Sequence, residues 1–169
     1  MNREEFEKAA SYWERKDAES VAMDRESLLK RIEKYIGAGN TCALATSHGD
    51  AVRCTPVEYG FHDGSFWIFS EGGRKFAGLG ENKNVCLAIY DGYSNMGSLA
   101  GLQVTGLAEI AEPFSAEYIR AAELKNIPIS ALEKLPEPIH LIKIRPTCYD
   151  LLDSTLKKEG FGPRQHIEL

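Results

Sequence analysis

The sequence predicts a mainly β protein of the α+β class: a small antiparallel barrel with helices before it and around it. Short runs of β-branched and aromatic residues alternate with turn signals such as His48-Gly49-Asp50 and His62-Asp63-Gly64, a pattern typical of hairpins. Strands joined by such short turns favour a small barrel over a parallel α/β sheet. The length of 169 residues predicts one domain, with room for a terminal extension.

Two helices are predicted before the first strand. The first covers residues 2–16 and carries apolar residues at helical spacing, including Phe6 and Trp13. Because a tryptophan is too large to be left fully exposed without a reason, we expect this helix to dock on another surface. The second helix covers residues 25–36, with Asp24 as its N-cap.

A change of pattern after the second helix divides the chain. Gly37 and Gly39 end the helix, and β-like runs begin at Thr41. Residues 1–38 are therefore predicted to form a helical extension that packs on the barrel or on the seam of a dimer. Residues 39–169 are predicted to form the barrel domain.

Six strands and two main helices are predicted within the barrel domain. The strands cover residues 41–47, 51–61, 65–69, 85–90, 99–110 and 139–153. The helices cover residues 76–82 and 115–125, and residues 127–138 are predicted as an irregular or short helical segment. The charged tail, residues 156–169, is either a frayed terminus or a segment that folds over a pocket. Gly106 indicates a bulge or a close backbone approach, and Pro146 indicates a bend or an edge position.

Composition indicates an ordinary soluble protein. Apolar residues make up 43% and charged residues 27%, and the formal net charge of −5 argues against non-specific nucleic-acid binding. No apolar run approaches the roughly 18 residues that span a bilayer, so no membrane association is expected. The four cysteines form no C-x-x-C pair, and no apolar signal segment precedes them, which predicts free thiols in a cytoplasmic protein.

Histidine and nucleophile patterns give no support to metal or hydrolase chemistry. The four histidines, His48, His62, His140 and His166, are scattered and form no metal-like cluster in the sequence. No serine or cysteine lies in a nucleophile motif such as G-x-S-x-G. The sequence therefore predicts no metal site, and it assigns no catalytic residue.

The stretch Ser70-Glu71-Gly72-Gly73-Arg74-Lys75 lies between a β-like run and a segment with helical spacing. Its two glycines let the backbone approach a ligand closely, and amide groups at a helix start, together with Arg74 and Lys75, suit a phosphate. The alternative is a connection between a strand and a helix that carries two solvated cations. The stretch is thus a candidate phosphate site.

Two polar side chains lie inside β-like runs. Alternation places Arg53 on the same face of its strand as Thr55 and Val57, with the residues between them on the opposite face. A mid-strand arginine either borders a ligand or forms a surface salt bridge at the rim. Gln103 either bonds the edge of a heterocycle or faces water.

Residues 40–110 combine these features in a recognisable order. The chain carries, in turn, Arg53-x-Thr55-Pro56-Val57, a Phe-rich strand, a turn ending in Arg74-Lys75, Asn82-x-Asn84-Val85, and the run Gln-Val-Thr-Gly-x-Ala-Glu that begins at Gln103. This combination resembles the FMN-binding split-barrel family related to pyridoxamine 5′-phosphate oxidase. The resemblance implies a six-stranded antiparallel Greek-key split barrel, a homodimer, and two FMN sites at the subunit interface.

The resemblance also implies which residues contact FMN. The Arg53 strand would line the phosphate and the flavin edge, the end of the Phe-rich strand would continue that wall, and the Arg-Lys pair would hold the phosphate. Gln103 would reach the flavin from the same chain or from the partner, and the terminal Arg164-x-His166 resembles an oxidase element. The predicted cofactor-binding residues are Arg53, Cys54, Thr55, Pro56, Val57, Phe69, Ser70, Gly73, Arg74, Lys75, Gln103 and Arg164.

Two departures from the oxidase argue against pyridoxamine phosphate as the substrate. Glu58 stands where the oxidase has a substrate-binding lysine, and a carboxylate there would repel a phosphorylated substrate. The oxidase also holds its substrate phosphate with a tyrosine and an arginine of a later helix. Tyr118 is present here, but Ala122 stands where the arginine is needed. We therefore expect FMN binding without pyridoxamine phosphate oxidation.

The leading hypothesis is a homodimeric, cytoplasmic, FMN-dependent oxidoreductase that acts on a small-molecule redox substrate, with a nicotinamide cofactor as one candidate reductant. One alternative is a flavin-binding module without turnover, such as a carrier, a sensor or an electron-transfer partner. Another is a haem-binding member of the same barrel group. All three share the fold and differ in what the bound group does.

Overall fold

One curved antiparallel sheet of eight strands organises the fold in the computed structural model, which describes residues 1–169. The strands are β1 (Thr41–His48), β2 (Ala51–Glu58), β3 (Gly60–His62), β4 (Ser65–Ser70), β5 (Asn84–Tyr90), β6 (Ala100–Ala111), β7 (His140–Asp153) and β8 (Arg164–Glu168). The helices are α1 (Arg3–Ala10), α2 (Tyr12–Asp17), α3 (Arg25–Gly37), α4 (Lys75–Glu81), α5 (Ala116–Leu124) and α6 (Ile129–Leu132). The strand order is β2-β1-β5-β6-β7-β4-β3, with β8 paired to β7. This arrangement confirms the predicted class, an antiparallel split barrel with helices.

The longest strand, β7, joins the two parts of the sheet. One of its edges pairs with β6 from Leu141 to Asp153. Its other edge pairs with β4 up to Ile144 and then with β8 from Cys148 onward. Pro146 lies where the strand changes neighbour, a position that tolerates a residue without an N–H group. The sequence predicted a bend or an edge position at this proline, and in the structure it marks the point where β7 exchanges β4 for β8 as its neighbour.

A bulge in β6 lies opposite this point. The register of the β6–β7 pairing shifts between Thr105 and Gly106. A Cβ atom at Gly106 would lie 2.8 Å from the carbonyl oxygen of Arg145 and 2.9 Å from Cγ2 of Ile144, so only glycine fits there. The structure confirms both the bulge and the close approach predicted at this residue.

The strand predicted over residues 51–61 is two strands in the structure. The chain leaves β1 after Glu58 and joins β4 as β3. Tyr59, at the junction, is buried: its N–H donates to the carbonyl oxygen of Asn40 at 2.7 Å, and its hydroxyl donates to that of Ile36 at 2.7 Å. These tertiary hydrogen bonds turn the chain and place β2 and β3 at the two ends of the sheet.

Inward-facing residues of the strands and one helix fill the barrel. Leu44 of β1 and Leu87 of β5 pair across the two strands and are fully buried, as expected where one face of a sheet covers a core. Helix α3 covers the barrel with the buried side chains of Leu28, Ile32 and Ile36. The main core is therefore shared by the barrel and this helix.

A second, smaller core lies between the sheet and α5. Trp67 of β4 and Leu141 of β7 face outward, and Tyr118 and Ala122 of the helix pack with them. Strand β4 is thus covered on both faces, which explains its consecutive buried residues. The helix predicted over 115–125 is present and supplies this second layer.

The first predicted helix is broken in two. Ser11 separates α1 from α2, and its hydroxyl donates to the carbonyl oxygen of Glu7 at 3.0 Å, a type of bond that bends helices. Neither helix buries a residue. The Trp13 ring lies 4.2 Å from the guanidinium carbon of Arg164, so the extension contacts β8 through a cation–π pair. No helix has both the length and the apolar character needed to cross a bilayer.

The structure has two strands more than the six predicted. One comes from the break at Tyr59, and the other is β8 in the tail. Strand β8 alternates buried Gln165 and Ile167 with exposed His166 and Glu168. Because β8 pairs with β7, this part of the tail belongs to the sheet and is not a frayed terminus.

Arg31 ties α3 to the end of β7. Its guanidinium donates to Asp153 Oδ2 at 2.8 and 3.0 Å and to the Glu159 carboxylate at 2.9 Å. Burial alone would raise the pKa of Asp153, but hydrogen bonds from Thr155 and from Arg31 lower it overall. The carboxylate form of Asp153 is therefore favoured in the folded protein.

We expect Arg31→Met to lower the free energy of unfolding by about 1.5–3 kcal/mol at neutral pH, the range for hydrogen bonds to charged groups, as measured by urea denaturation. The matched control Lys30→Met removes a solvent-exposed pair with Glu26 and should change stability by less than about 0.5 kcal/mol.

The same pair of variants gives a pH test of Asp153. Because its pKa is lowered on folding, the stabilisation is fully present above the ordinary carboxyl pKa of about 4 and is lost as the pH falls through the folded value. The difference between wild type and Arg31→Met should therefore shrink below about pH 4. A difference that stays constant down to acid unfolding would contradict this role for the pair.

Candidate functional site

The turn after β4 has the backbone geometry that its glycines predict. Gly72 and Gly73 have φ angles of +124° and +97°, which residues other than glycine rarely adopt. The Ser70 hydroxyl accepts a hydrogen bond from the Gly72 N–H at 3.2 Å, and α4 begins at Lys75. The strand–turn–helix arrangement predicted for residues 70–75 is confirmed.

Three cations border this turn without an acidic partner. Arg53, Arg74 and Lys75 form no salt bridge anywhere in the chain. Lys75 is buried, and its Nζ donates to the carbonyl oxygen of Gly72. Burial lowers the pKa of Lys75, and repulsion from the nearby Arg53 lowers it further. The turn therefore holds positive charges that repel each other and lack a compensating anion.

An unpaired hydroxyl lies on the same face as Arg53. Pairing with β1 places Arg53, Thr55 and Val57 of β2 opposite Thr46, Leu44 and Cys42, which confirms the face predicted by alternation. The Oγ1 atom of Thr55 is buried and has no hydrogen-bond partner. Such buried orphan groups are rare in proteins and call for a partner.

Close packing sets the position of α4 beside this face. A Cβ atom on Gly78 would lie 2.9 Å from the Ser47 carbonyl oxygen, so glycine lets the helix touch the end of β1. The Asn82 side chain donates to the Ser47 hydroxyl at 2.8 Å and accepts from the N–H of Asn84 at 3.0 Å. These contacts hold the middle and the C-terminal end of the helix against β1, and Lys75 at its start lies close enough to Arg53 of β2 for the two charges to interact.

The donors of this group suit a phosphate. Guanidinium and ammonium groups form strong charge-assisted hydrogen bonds with phosphate oxygens, and the Thr55 hydroxyl adds an uncharged donor, whereas the Ser70 hydroxyl already donates to the Gly72 carbonyl oxygen at 3.3 Å. An anion bound here would offset the repulsion between Arg53 and Lys75 and could pair the Thr55 hydroxyl. We refer to Arg53, Thr55, Ser70, Gly73, Arg74 and Lys75 as the cation cradle.

The remaining predicted residues lie elsewhere in the chain. Cross-strand pairing places one row of residues on the outer face of the sheet: Pro56, Ala43, Ala88, Gln103, Asp150 and His166. The neighbouring row contains Cys54, Ala45, Cys86, Thr105, Cys148 and Glu168. Arg164 of β8 pairs with Leu152 on the same outer face. From β2 to β5 this face carries small side chains.

Strand spacing keeps Gln103 and Arg164 away from the cradle of their own chain. Neighbouring strands lie about 4.8 Å apart, so three spacings from β2 to β6 amount to about 14 Å along the sheet, and five spacings from β2 to β8 to about 24 Å. One chain therefore brings Arg53, Thr55 and Lys75 together but leaves Gln103 and Arg164 apart from them.

Phe69 and Tyr118 face the second core. Their rings meet edge to face, with centroids 5.4 Å apart, so the Phe69 side chain does not line the cradle. Tyr118 is fully buried and its hydroxyl has no partner, and Ala122 is also buried. Glu58 is exposed and pairs with the Lys125 ammonium at 3.1 Å. The helix residues that would hold a substrate phosphate in the oxidase thus offer no such site here.

The pairing of β7 with β8 assembles a cluster that the sequence did not indicate. It brings His166 next to Cys148, Asp150 and Glu168. Sequence spacing does not reveal this cluster, because Cys148 and Asp150 lie 18 and 16 positions before His166. The only local signal is the alternation of residues 164–168, which predicts a strand.

Two surface clefts lie away from the cradle. A cleft of about 380 Å³ is lined by residues 109–112, 115–117 and Lys143. Another, of about 250 Å³, is lined by Gly60, Phe61, His62, Trp67, Ala121, Leu124 and Lys125. Neither cleft contains a residue predicted to bind the cofactor.

Comparison with known proteins assigns the fold to a family. A family model described as pyridoxamine 5′-phosphate oxidase matches residues 28–152, from α3 almost to the end of β7. No protein of curated function matches the sequence.

Several solved structures share the fold at low sequence identity. ChuZ of Campylobacter jejuni is 18% identical with a TM-score of 0.66, over 86% of this chain and 61% of ChuZ. An FAD-binding protein of Mesorhizobium loti is 16% identical with a TM-score of 0.58, over 72% of this chain and 89% of that protein. HutZ, the haem storage protein of Vibrio cholerae, is 16% identical with a TM-score of 0.58, over 69% of this chain and 88% of HutZ. The chain thus spans less than two thirds of ChuZ.

The two positive φ angles make the turn sensitive to any side chain. We expect Gly72→Ala and Gly73→Ala each to lower the free energy of unfolding by about 1–2 kcal/mol, because an L-residue is disfavoured in this region. The matched control is Gly80→Ala in α4, where a Cβ atom would meet nothing within 4 Å and stability should rise by up to about 1 kcal/mol. Urea denaturation measures all three. Equal responses at the three glycines would contradict this description of the turn.

Proposed function

The chain belongs to the pyridoxamine 5′-phosphate oxidase family, and we propose that it is an FMN-binding flavoprotein that acts as an FMN-dependent oxidoreductase. The observation that carries this proposal is the cation cradle. Arg53, Arg74 and Lys75 have no acidic partner, Lys75 is buried, and the Thr55 hydroxyl, on the same strand face as Arg53, has no hydrogen-bond partner. The ribityl phosphate of FMN supplies the anion that this group lacks.

The residues present fit a phosphate in particular ways. The Lys75 ammonium donates to the backbone of Gly72 and has further donors available for a phosphate oxygen. Arg53 and Arg74 present planar guanidinium groups suited to two-point contact. The Thr55 hydroxyl would gain its missing partner. Bound FMN would supply the electron transfer itself, since a flavin accepts electrons from one partner and passes them to another.

The site is proposed to be completed by a second copy of the chain. Gln103 and Arg164 lie on the outer face, far from the cradle of their own chain. The flat row of small residues between β2 and β5, including Ala43, Ala45 and Ala88, suits close contact with a second sheet. In a homodimer, the ring system would lie at the interface between the cradle of one chain and Gln103 or Arg164 of the other. Cys54 and Pro56 would line it from the outer face, and Val57 and the Phe69 backbone would line it from the side of the cradle.

The proposed substrate is a small redox molecule other than pyridoxamine phosphate. Where the oxidase has a lysine, this chain has Glu58, which pairs with Lys125 and offers no positive charge to a substrate phosphate. The buried Tyr118 and Ala122 offer none either. No side chain near the cradle is assigned as an acid or base, so the protein's part is to bind, orient and shield. A nicotinamide cofactor is a candidate reductant. The proposed location is the cytoplasm, where four free thiols stay reduced.

Two alternatives share the same fold. The chain would be a flavin carrier, sensor or electron-transfer module if it bound FMN without turnover. It would be a haem protein if it followed HutZ, a haem storage protein of the same fold. The absorption spectrum of the purified protein separates flavin from haem, since haem gives a Soret band. Reduction of bound flavin by a nicotinamide cofactor, followed by reoxidation with a panel of acceptors, separates an enzyme from a carrier.

The Arg74→Ala/Lys75→Ala double variant tests the phosphate contact. We expect it to weaken FMN binding by about 3 kcal/mol or more, at roughly 1.5–3 kcal/mol for each charged hydrogen bond, as measured by quenching of flavin fluorescence in a titration of apoprotein. Riboflavin, which lacks the phosphate, should bind wild type and variant with similar affinity.

Lys83→Ala is the matched control, because it removes an exposed cation at the other end of α4. It should leave FMN affinity unchanged. If the double variant lost FMN and riboflavin equally, or lost neither, the phosphate would not lie in the cradle. A Soret band without any flavin binding would favour the haem alternative instead.

Ala88→Arg tests the proposed interface. Ala88 lies at the middle of the outer face, paired with Ala43 and Gln103, and an arginine there would leave a bulky charge between two sheets. We expect wild type to have the mass of a dimer by light scattering after gel filtration, and this variant to shift toward monomer and to lose FMN. The control Glu123→Arg changes an exposed residue of α5, and this variant should stay dimeric. A monomeric wild type that binds FMN would overturn the shared site.

A further inference from the structure

Four side chains of metal-binding type converge on the outer face of β7 and β8. Cys148 lies directly opposite Glu168, and Asp150 lies opposite His166. Directly opposed residues of antiparallel strands have Cβ atoms about 4.5–5.5 Å apart, so strand pairing alone gathers the four. They lie on β7 and β8, four and five strand spacings from β2, and so apart from the cation cradle of the same chain.

The distances within this cluster suit a single ion. The ligand atoms of Cys148, His166 and Glu168 all lie within 4.8 Å of one another. The Cys148 Sγ atom lies 3.6 Å from His166 Nδ1, and Glu168 Oε1 lies 3.3 Å from His166 Nε2. These two contacts lie at different ring nitrogens, so a metal ion at 2.0–2.3 Å from each ligand requires the His166 ring to turn until one nitrogen faces both Cys148 and Glu168.

The cluster also supplies the outer contact that metal-binding histidines use. Asp150 Oδ1 lies 2.7 Å from His166 Nδ1. In metal sites, the ring nitrogen that does not bind the ion commonly donates to a carboxylate, which sets the orientation of the ring. With Nδ1 held by Asp150, the Nε2 atom of His166 is directed toward Glu168.

We propose that Cys148, His166 and Glu168 bind one zinc ion, with Asp150 as a positioning residue for His166. Thiolate, imidazole and carboxylate are the three ligand types of zinc sites, and the thiolate disfavours magnesium and calcium, which prefer oxygen ligands. Cys148 is buried and held within β7, whereas the His166 and Glu168 side chains are 58% and 73% exposed and free to adjust. The fourth position is open to water or to a small ligand.

Cobalt(II) is the probe, because it occupies zinc sites and its bond to a thiolate absorbs light. The purified full-length protein, with any flavin it carries, is titrated with cobalt chloride and followed by difference spectra against the metal-free sample. We expect a thiolate-to-cobalt charge-transfer band that saturates at one ion per chain and disappears when zinc is added.

Variants assign the ligands. Cys148→Ser should abolish the charge-transfer band and weaken zinc binding about 100-fold, as measured by calorimetry. Glu168→Gln should weaken zinc binding by about tenfold or more and keep the band. Asp150→Asn should also weaken binding by about 10–100-fold, the range for residues that orient a ligand. Its cobalt band should keep its intensity at saturation, which separates a positioning residue from the thiolate ligand.

The chain offers matched controls for both side-chain types. Cys86→Ser removes a half-buried thiol of the same face, and His48→Gln removes an exposed histidine that pairs with Glu81 at 3.0 Å. Neither should change the cobalt band or the zinc affinity, and circular dichroism confirms that each variant is folded. Absence of the band in wild type, or a band that survives in Cys148→Ser, would overturn the proposal.

Discussion

The change of partner along β7 is the constraint on which the rest of the structure depends. A strand of 14 residues keeps one edge on β6 and divides its other edge between β4 and β8. The change of partner occurs at Pro146. In the opposing strand, Gly106 leaves room for the backbone of Arg145, because a Cβ atom at Gly106 would lie only 2.8 Å from the Arg145 carbonyl oxygen. The first half of β7 closes the barrel through β4. The second half, with β8, extends an outer face that the barrel itself does not cover. A side chain at Gly106 would push β6 and β7 apart at the point where β7 changes its partner.

This division gives the two faces of one sheet different tasks. The inner face is apolar and filled by α3, whereas the end of the barrel near β2 carries Arg53 and the buried Lys75, which repel each other. The FMN phosphate proposed to bind there would relieve this repulsion, and ligand binding and stability would then be coupled by mass action. The outer face carries small side chains near β2 and polar side chains near β8. A sheet with this face covered by a second copy would protect the exposed edge strand β2, which otherwise presents unpaired backbone groups to solvent.

Local patterns predicted the structure wherever local chemistry decides it. Gly72 and Gly73 determine their turn, Gly106 its bulge, and the alternation of Arg53, Thr55 and Val57 their common face. Prediction failed where a distant partner decides the outcome. The strand over 51–61 breaks because Tyr59 bonds to Ile36 and Asn40, which are distant in the sequence. The break in the first helix has a local cause instead, the bond from Ser11 to Glu7 four residues earlier, which the spacing of the apolar residues did not indicate. The tail becomes β8 only because β7 has a free edge. For the same reason the side chain of Phe69 packs on Tyr118, and His166 meets Cys148, contacts that no spacing in the sequence indicates.

The orphaned hydroxyl of Thr55 narrows what the cradle can hold. A chloride or a single carboxylate would compensate the charge of Arg53 and Lys75, but it offers few oxygens to share among two guanidinium groups, an ammonium and a hydroxyl. A phosphate presents three acceptor oxygens in different directions and about two negative charges near neutral pH, so it meets both the charge and the number of donors. The donor set therefore favours a phosphate ester over a simple anion.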